Sequence, residues 1–95
     1  MKYYAKIRFL TRDKGGRASP PLRGYRPHVK LNNGVHTSCV ITPQDASLEI
    51  MGFGKQLAVT LEFPFEREYG SEIRKLDNIE VYEGSKLVGI GIITN

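Results

Sequence analysis

The sequence predicts an all-β domain of about six short strands, arranged as a small sandwich or barrel. Three segments alternate apolar and polar residues with the two-residue period of half-buried strands, namely 3–10, 25–31 and 57–65. Shorter runs rich in β-branched and apolar residues predict further strands at 37–41, 79–82 and 87–93. A chain of 95 residues fits one domain with one modest core.

Turn-forming residues predict how neighbouring strands connect. The segment Asn32-Asn33-Gly34 can supply the positive φ angles of a tight turn between two strands. The segment 83–86, Glu-Gly-Ser-Lys, stands between two apolar runs and should close a hairpin. Residues 66–75 are polar and predict either a turn of helix or a loop.

Two observations fit a barrel. An open sheet exposes two edges that attract other chains, and closing the sheet into a barrel removes them. Gly89 and Gly91 fall within the last predicted strand. A glycine inside a strand often marks a bend at a barrel corner or the close approach of another backbone.

Basic residues are concentrated in the first third of the chain. Residues 1–30 contain nine Lys and Arg but a single acid, Asp13, whereas the net charge of the whole chain is +4. Such a split can mark an anion-binding end of the molecule. The alternative is that folding mixes the two parts in space, so that the excess charge cancels locally.

Several protein classes are disfavoured. The single cysteine, Cys39, cannot form an internal disulfide, so we expect a reducing, cytoplasmic setting. No apolar run is long enough to span a membrane, and Met1 to Tyr4 lack the apolar core of a secretory signal. We expect no metal site, because His36 and Cys39 face opposite sides of one predicted strand.

Catalytic motifs are missing from the sequence as well. There is no Gly-x-Ser-x-Gly elbow, and a filled small barrel offers no cleft in which carboxylates could perform acid–base chemistry. A Gly-x4-Gly-Lys-Ser/Thr phosphate loop is also absent. We therefore expect no enzymatic activity, no cofactor and no bound nucleotide.

Three motifs, taken in order, resemble the third domain of elongation factor Tu. The first is Gly15-Gly16-Arg17 with a following small hydroxyl residue and proline, leading into Gly24-Tyr25-Arg26-Pro27. The second is the strand "LAVTLEFP", and the third is the final hairpin "VYEGSKLVGIGII". This resemblance covers nearly the whole chain. It implies one closed six-stranded antiparallel β-barrel over residues 1–95, without the GTP-binding domain of that family.

The resemblance also implies a set of contact positions. In that family the third domain contacts the T-stem backbone of aminoacyl-tRNA, the other two domains and the exchange factor. The positions that match the family's tRNA contacts are Arg17, Thr37 and Gly84. The positions that depart are Ala18 in place of histidine, His28 in place of the usual glutamine, and Phe63 in place of lysine.

The basic stretch 11–31 supplies most of the RNA- or partner-binding candidates. The full set is Lys14, Arg17, Arg23, Arg26, His28, Thr37 and Gly84. Arginine suits phosphate because its planar fork can bond two oxygens, and neighbouring glycines allow a partner to approach the backbone. The alternative for Arg26 is that it braces the loop by bonding backbone carbonyls while Tyr25 packs into the barrel.

Two functions of different classes remain open. The first is a non-catalytic binding module linked to translation, which contacts the backbone of tRNA or another RNA through the basic loop. The second is a protein-interaction module without nucleic-acid binding, such as a translation-factor mimic, adaptor, inhibitor or immunity-type protein. Phe53, Phe63 and Phe65 are candidates for a protein contact, with Phe63 foremost because an aromatic replaces a family lysine. The alternative is that Phe63 fills the core.

Overall fold

A computed structural model of the chain describes residues 2–94, and within this range one antiparallel sheet of seven strands curls into a half-barrel. The strands are β1 Lys2–Phe9, β2 His28–Lys30, β3 His36–Ser38, β4 Val40–Pro43, β5 Gln56–Glu62, β6 Asn78–Glu83 and β7 Lys86–Ile93. A 3-10 helix, Arg12–Lys14, follows β1, and the helix α1, Glu66–Ile73, follows β5. No helix in the described range combines the length and apolar character that crossing a membrane requires.

The closed six-stranded barrel expected from the sequence is not what forms. The strand order is β3-β2-β6-β7-β1-β5-β4, so β3 and β4 occupy the two edges of the sheet. These two edge strands are neighbours in the chain, separated by Cys39. The predicted strand 37–41 is therefore divided: its first part pairs with β2 and its second part pairs with β5.

The sheet stays open because β5 ends too early to reach β3. Extending the register of β4 and β5 by two residues places Pro64 opposite Ser38. Proline has no N–H to donate, and α1 begins two residues later at Glu66. The chain thus turns away into a helix at the point where a further pair of ladder hydrogen bonds would close the barrel.

The alternation seen in the sequence defines the buried side of the sheet. In β1 every second residue is buried, in the pattern predicted, and Val59 and Leu61 of β5 lie in the same core. The predicted strand 25–31 is shorter than expected, because Pro27 interrupts it and only an isolated bridge joins Tyr25 to Ile41. Of the two alternatives for residues 66–75, the helix is the one found.

Close packing of β1 against β7 depends on the two glycines of the last strand. Gly91 is paired with Ile7, and Gly89 is paired with Phe9. A Cβ atom on Gly91 would collide with the Lys6 carbonyl oxygen and lie 2.9 Å from Cγ1 of Ile7. The predicted close backbone approach is therefore confirmed at this position.

The substitution Gly91→Ala should destabilise the fold by about 1–3 kcal/mol, because the added methyl overpacks the contact between β1 and β7. Gly52→Ala is the matched control, since a Cβ there meets no atom within 4 Å and the backbone has no positive φ. Urea denaturation followed by circular dichroism would measure both changes. Equal stability of the two variants would contradict this account.

Candidate nucleic-acid interface

The predicted contact residue Arg17 lies in an internal cluster with Tyr25 and Glu83. Its guanidinium carbon is 4.8 Å from the centre of the Tyr25 ring, a cation–π arrangement. Arg17 and the Tyr25 hydroxyl both donate hydrogen bonds to the Glu83 carboxylate. Arg17 Nε also donates to the Ser19 carbonyl oxygen at 3.0 Å. Its charge is therefore largely engaged in holding the loop against the β6–β7 hairpin.

The electrostatics of this cluster follow from the shared carboxylate. Burial raises the pKa of Tyr25, and its hydrogen bond to Glu83 raises it further. Burial by itself would raise the pKa of Glu83. The hydrogen bonds from Tyr25 and Arg17, together with the positive charge of Arg17, outweigh this effect, so the pKa of Glu83 lies below its usual value. Glu83 consequently stays ionised at neutral pH and neutralises Arg17.

Arg23, the second predicted loop contact, clamps another segment of the protein. Its guanidinium donates to the carbonyl oxygens of Asp45, at 2.7 Å, and Leu48, at 2.7 and 3.1 Å. The Glu49 carboxylate lies 3.6 Å from Arg23 Nε. Arg23 thus satisfies backbone acceptors that would otherwise depend on water, which is a structural role.

The glycine pair of the predicted motif is also required by the fold. Gly15 has a φ of 85° and ends the 3-10 helix. Gly16 is buried, and a Cβ there would collide with the backbone of Leu10. Both glycines therefore serve local backbone geometry that other residues could not adopt without strain.

The other predicted contact residues are scattered. Lys14 and Arg26 are exposed, and His28 is exposed on β2 with its ring 6.4 Å from that of His36. Thr37 is 3% exposed, and its hydroxyl is the one buried side-chain polar atom without a partner in residues 2–94. An unpaired buried hydroxyl costs about 1–3 kcal/mol.

Gly84 and Phe63 serve the fold as well. Gly84 has a φ of 59° and forms the β6–β7 turn beside Glu83, so the structure brings Gly84 close to Arg17. Phe63 is 5% exposed and packs edge-on against Tyr3 with ring centres 5.5 Å apart. Of the alternatives weighed for Phe63, the structure shows core filling, and its ring is not available to a partner. Among Phe53, Phe63 and Phe65, the three phenylalanines considered for a protein contact, Phe65 is the exposed one, at 48%.

A different group of cations is exposed on the outer face of β1 and the 3-10 helix. Lys6 and Arg8 are exposed on this face of β1, and Lys14 is exposed on the 3-10 helix. Arg8 and Lys14 line one small cleft of about 110 Å³ whose wall includes Gly54. No acid in the described range forms an ion pair with any of these three bases.

Arg8 was not among the residues predicted from the sequence. Its signal was present, because alternation along β1 places Lys2, Lys6 and Arg8 on the polar face. Asp13 is the acid closest in sequence to this cleft. The Thr11 hydroxyl donates to its carboxylate, and this hydrogen bond lowers the pKa of Asp13.

Metal ligands and the cysteine complete the description of residues 2–94. No three His, Cys, Asp or Glu side chains there are grouped closely enough to hold a metal ion. The Cys39 thiol is buried, and burial raises its pKa to about 12, so at neutral pH it is a thiol and not a nucleophilic thiolate. No protein-family model matches this chain.

Acid should weaken the Arg17–Tyr25–Glu83 cluster. The folded-state pKa of Glu83 lies below its unfolded value of about 4.3, so its stabilising contribution is complete above that pH and is lost as the pH falls through the folded value. Glu83→Gln should lower stability at pH 7 by about 1 kcal/mol or less, because the carboxylate is partly exposed.

The measurement is urea denaturation of both proteins at pH 7 and at a pH below the folded pKa of Glu83. The difference between wild type and Glu83→Gln should shrink at the lower pH. Glu68→Gln is the control, because Glu68 is exposed and forms no ion pair among the described residues. A difference that grows on acidification would show that the ionised carboxylate does not stabilise the fold.

The two loop arginines should respond differently to removal. Arg23→Ala should destabilise the protein by about 1–2 kcal/mol, because it removes the charged hydrogen bonds to the carbonyl groups of Asp45 and Leu48 and leaves those groups to water. Arg26→Ala, which removes an exposed side chain, should stay within about 0.5 kcal/mol of wild type. Thermal denaturation would measure the stability of both variants. A larger loss of stability for Arg26→Ala than for Arg23→Ala would mean that Arg26 braces the loop.

Proposed function

We propose that this protein is a non-catalytic binding module linked to translation that contacts the phosphate backbone of tRNA or another RNA. The link to translation rests on the resemblance of its motifs to the third domain of elongation factor Tu. The cytoplasm, where such RNA is found, is the proposed location. The contact surface is the cleft between Arg8 and Lys14, together with Lys6 on the same face of β1.

The observation that carries this proposal is that these bases form no ion pair with a described residue, whereas two arginines of the predicted loop are engaged within the protein. Arg17 is neutralised by Glu83, and Arg23 is committed to backbone carbonyls. The Arg8 guanidinium and the Lys14 ammonium, by contrast, flank one shallow cleft and have no described acid as a partner. A phosphate is the anion best matched to an arginine fork with a second cation beside it.

The geometry favours contact with the backbone of the nucleic acid over reading of its bases. Side chains two residues apart on a strand, such as Lys6 and Arg8, are about 6.6 Å apart along the strand direction. They present a short row of charge that can follow successive phosphates. Such contacts depend strongly on salt and little on sequence.

Removing the two cleft bases should weaken RNA binding and its salt dependence together. For Arg8→Ala/Lys14→Ala we expect the affinity for bulk tRNA to fall at least about tenfold at low salt. The slope of log affinity against log salt should become less steep by about two, or about one for each phosphate contact removed. Fluorescence anisotropy at about 50 and 200 mM salt would measure both quantities.

The control is Arg67→Ala/Arg74→Ala, which removes the same charge from exposed positions at α1. This helix adjoins the β1 end that carries Tyr3, remote from Arg8. The control should alter affinity far less than the cleft variant. Absence of tRNA binding at low salt would refute the function, whereas equal loss in both double variants would refute the site.

A further inference from the structure

The backbone of β3 has a free edge whose polar groups face away from β2. The bonds Leu31 N–Val35 O, at 2.7 Å, and Cys39 N–Pro27 O, at 3.0 Å, fix the phase of the β2–β3 ladder. In this phase Thr37 bonds to β2, so the N–H and C=O groups of His36 and Ser38 point outward. No hydrogen bond to these outward groups is formed by any other part of residues 2–94.

An aromatic recess lies directly beside this edge. Phe65 and Tyr69, at the start of α1, line a cavity of about 180 Å³ together with the three residues of β3. Phe65 is 48% exposed. The volume of this open recess exceeds the about 150 Å³ of a cavity that accommodates a benzene ring, so it has room for one large side chain. The recess occupies the position that β5 would fill if it did not end before Pro64.

We propose that β3 accepts an extended peptide segment of a partner protein, which adds to the sheet as a further strand. The segment's N–H and C=O groups pair with those of His36 and Ser38, which is recognition by strand addition. Its residue opposite Thr37 points to the same side as Thr37, into the recess between Phe65 and Tyr69. That residue is a large apolar or aromatic anchor.

The side chains on the outer face of β2 and β3 indicate which residues flank the anchor in the peptide segment. They point to the opposite side, where His28, Lys30 and His36 are exposed on β2 and β3. Glu80, on β6, lines the same surface cavity as Lys30 and accepts a hydrogen bond from Tyr82 at 2.8 Å. It is two strands away from the free edge. Because Lys30 carries a formal positive charge here and the two imidazole rings can donate hydrogen bonds, we expect acidic residues on both sides of the segment's anchor.

This peptide site is separate from the basic cleft. Arg8 and Lys14 lie at the far end of β1 and on the 3-10 helix, whereas Phe65 and Tyr69 lie beside the end of β5 that pairs with Lys2. The proposal concerns a second kind of partner, a protein, and does not depend on RNA binding. A failure at one surface leaves the other to be judged by its own test.

The probe is a labelled, end-capped peptide of about seven residues in which Glu alternates with apolar residues around a central Phe. Fluorescence anisotropy gives its affinity for the full chain, and ¹H–¹⁵N NMR locates its contact. We expect saturable shifts of the His36 and Ser38 amides and slower hydrogen exchange at both. A matched peptide with its pairing amides N-methylated should bind at least about tenfold more weakly, because it cannot donate to the edge.

Two variants test the recess. Phe65→Ala should weaken peptide binding at least about tenfold, since it removes one wall of the anchor site. Ile50→Ala removes an apolar side chain of similar exposure, 52%, from a segment that bridges to Leu22, and should leave binding unchanged. A charge-reversed peptide with Lys in place of Glu should bind more weakly than the acidic one.

Several results would overturn the proposal. One is the absence of shifts at His36 and Ser38 at saturating peptide, and another is equal binding of the N-methylated peptide. Protection of these amides without peptide, together with dimer formation in sedimentation, would mean that a second copy covers the edge. Shifts of the same amides by tRNA but not by peptide would assign the edge to nucleic acid.

Discussion

The backbone from His36 to Pro43 is shared by both ends of the sheet, and the curvature of the whole molecule depends on it. Its first part pairs with β2 and its last part with β5, on opposite edges. Cys39, at the bend, is fully buried. One continuous segment therefore connects the two edge strands, and buried apolar residues of β1, β2, β4, β5, β6 and β7 meet in one core. Because β5 stops at Glu62, it pairs with β4 but does not extend along β3. The outer edge of β3 is therefore left unpaired among the described strands.

Close contact between β1 and β7 complements that closure. Glycine at positions 89 and 91 allows the backbone of β7 to lie against the side chains of Phe9 and Ile7. Larger residues would push the two central strands apart and flatten the sheet. The bulge near Val81 adds local twist to the same region. The sheet is thus tightly packed between β1 and β7, while the outer edge of β3 stays open.

The long loop between β1 and β2 is held by arginine. Arg17 fastens it to the β6–β7 hairpin through Glu83, and Arg23 fastens it to the segment 45–49. The sequence predicted both arginines as partner contacts, but their guanidinium groups are hydrogen-bonded within the protein. Lys6, Arg8 and Lys14, on the outer face of β1 and the 3-10 helix, form no ion pair with a described acid, and the proposed RNA surface lies there. Basic residues that are close together in the sequence therefore need not form a basic surface in the folded protein.

Local patterns predicted much of this fold. The alternation in β1 and β5, the turns at Gly34 and Gly84, and the close approach at Gly91 are properties of neighbouring residues, and the structure confirms each. The proposed contact surface overlaps the residues predicted from the sequence only at Lys14, although alternation along β1 already marks Arg8 as outward-facing. Between the two alternatives for Phe63 the sequence could not decide, because its partner Tyr3 is distant in the chain.

The sequence by itself determined that this chain is a β protein, which faces of its long strands are buried, and where its hairpins turn. These properties depend on side-chain period and on backbone preference within a few residues. Tertiary structure decided whether the sheet closes, which arginines are bonded within the protein, and which of the three candidate phenylalanines is exposed. Each of those outcomes depends on residues that are distant in sequence: β5 pairs with β4 only as far as Glu62, Glu83 pairs with Arg17, and Phe63 packs against Tyr3.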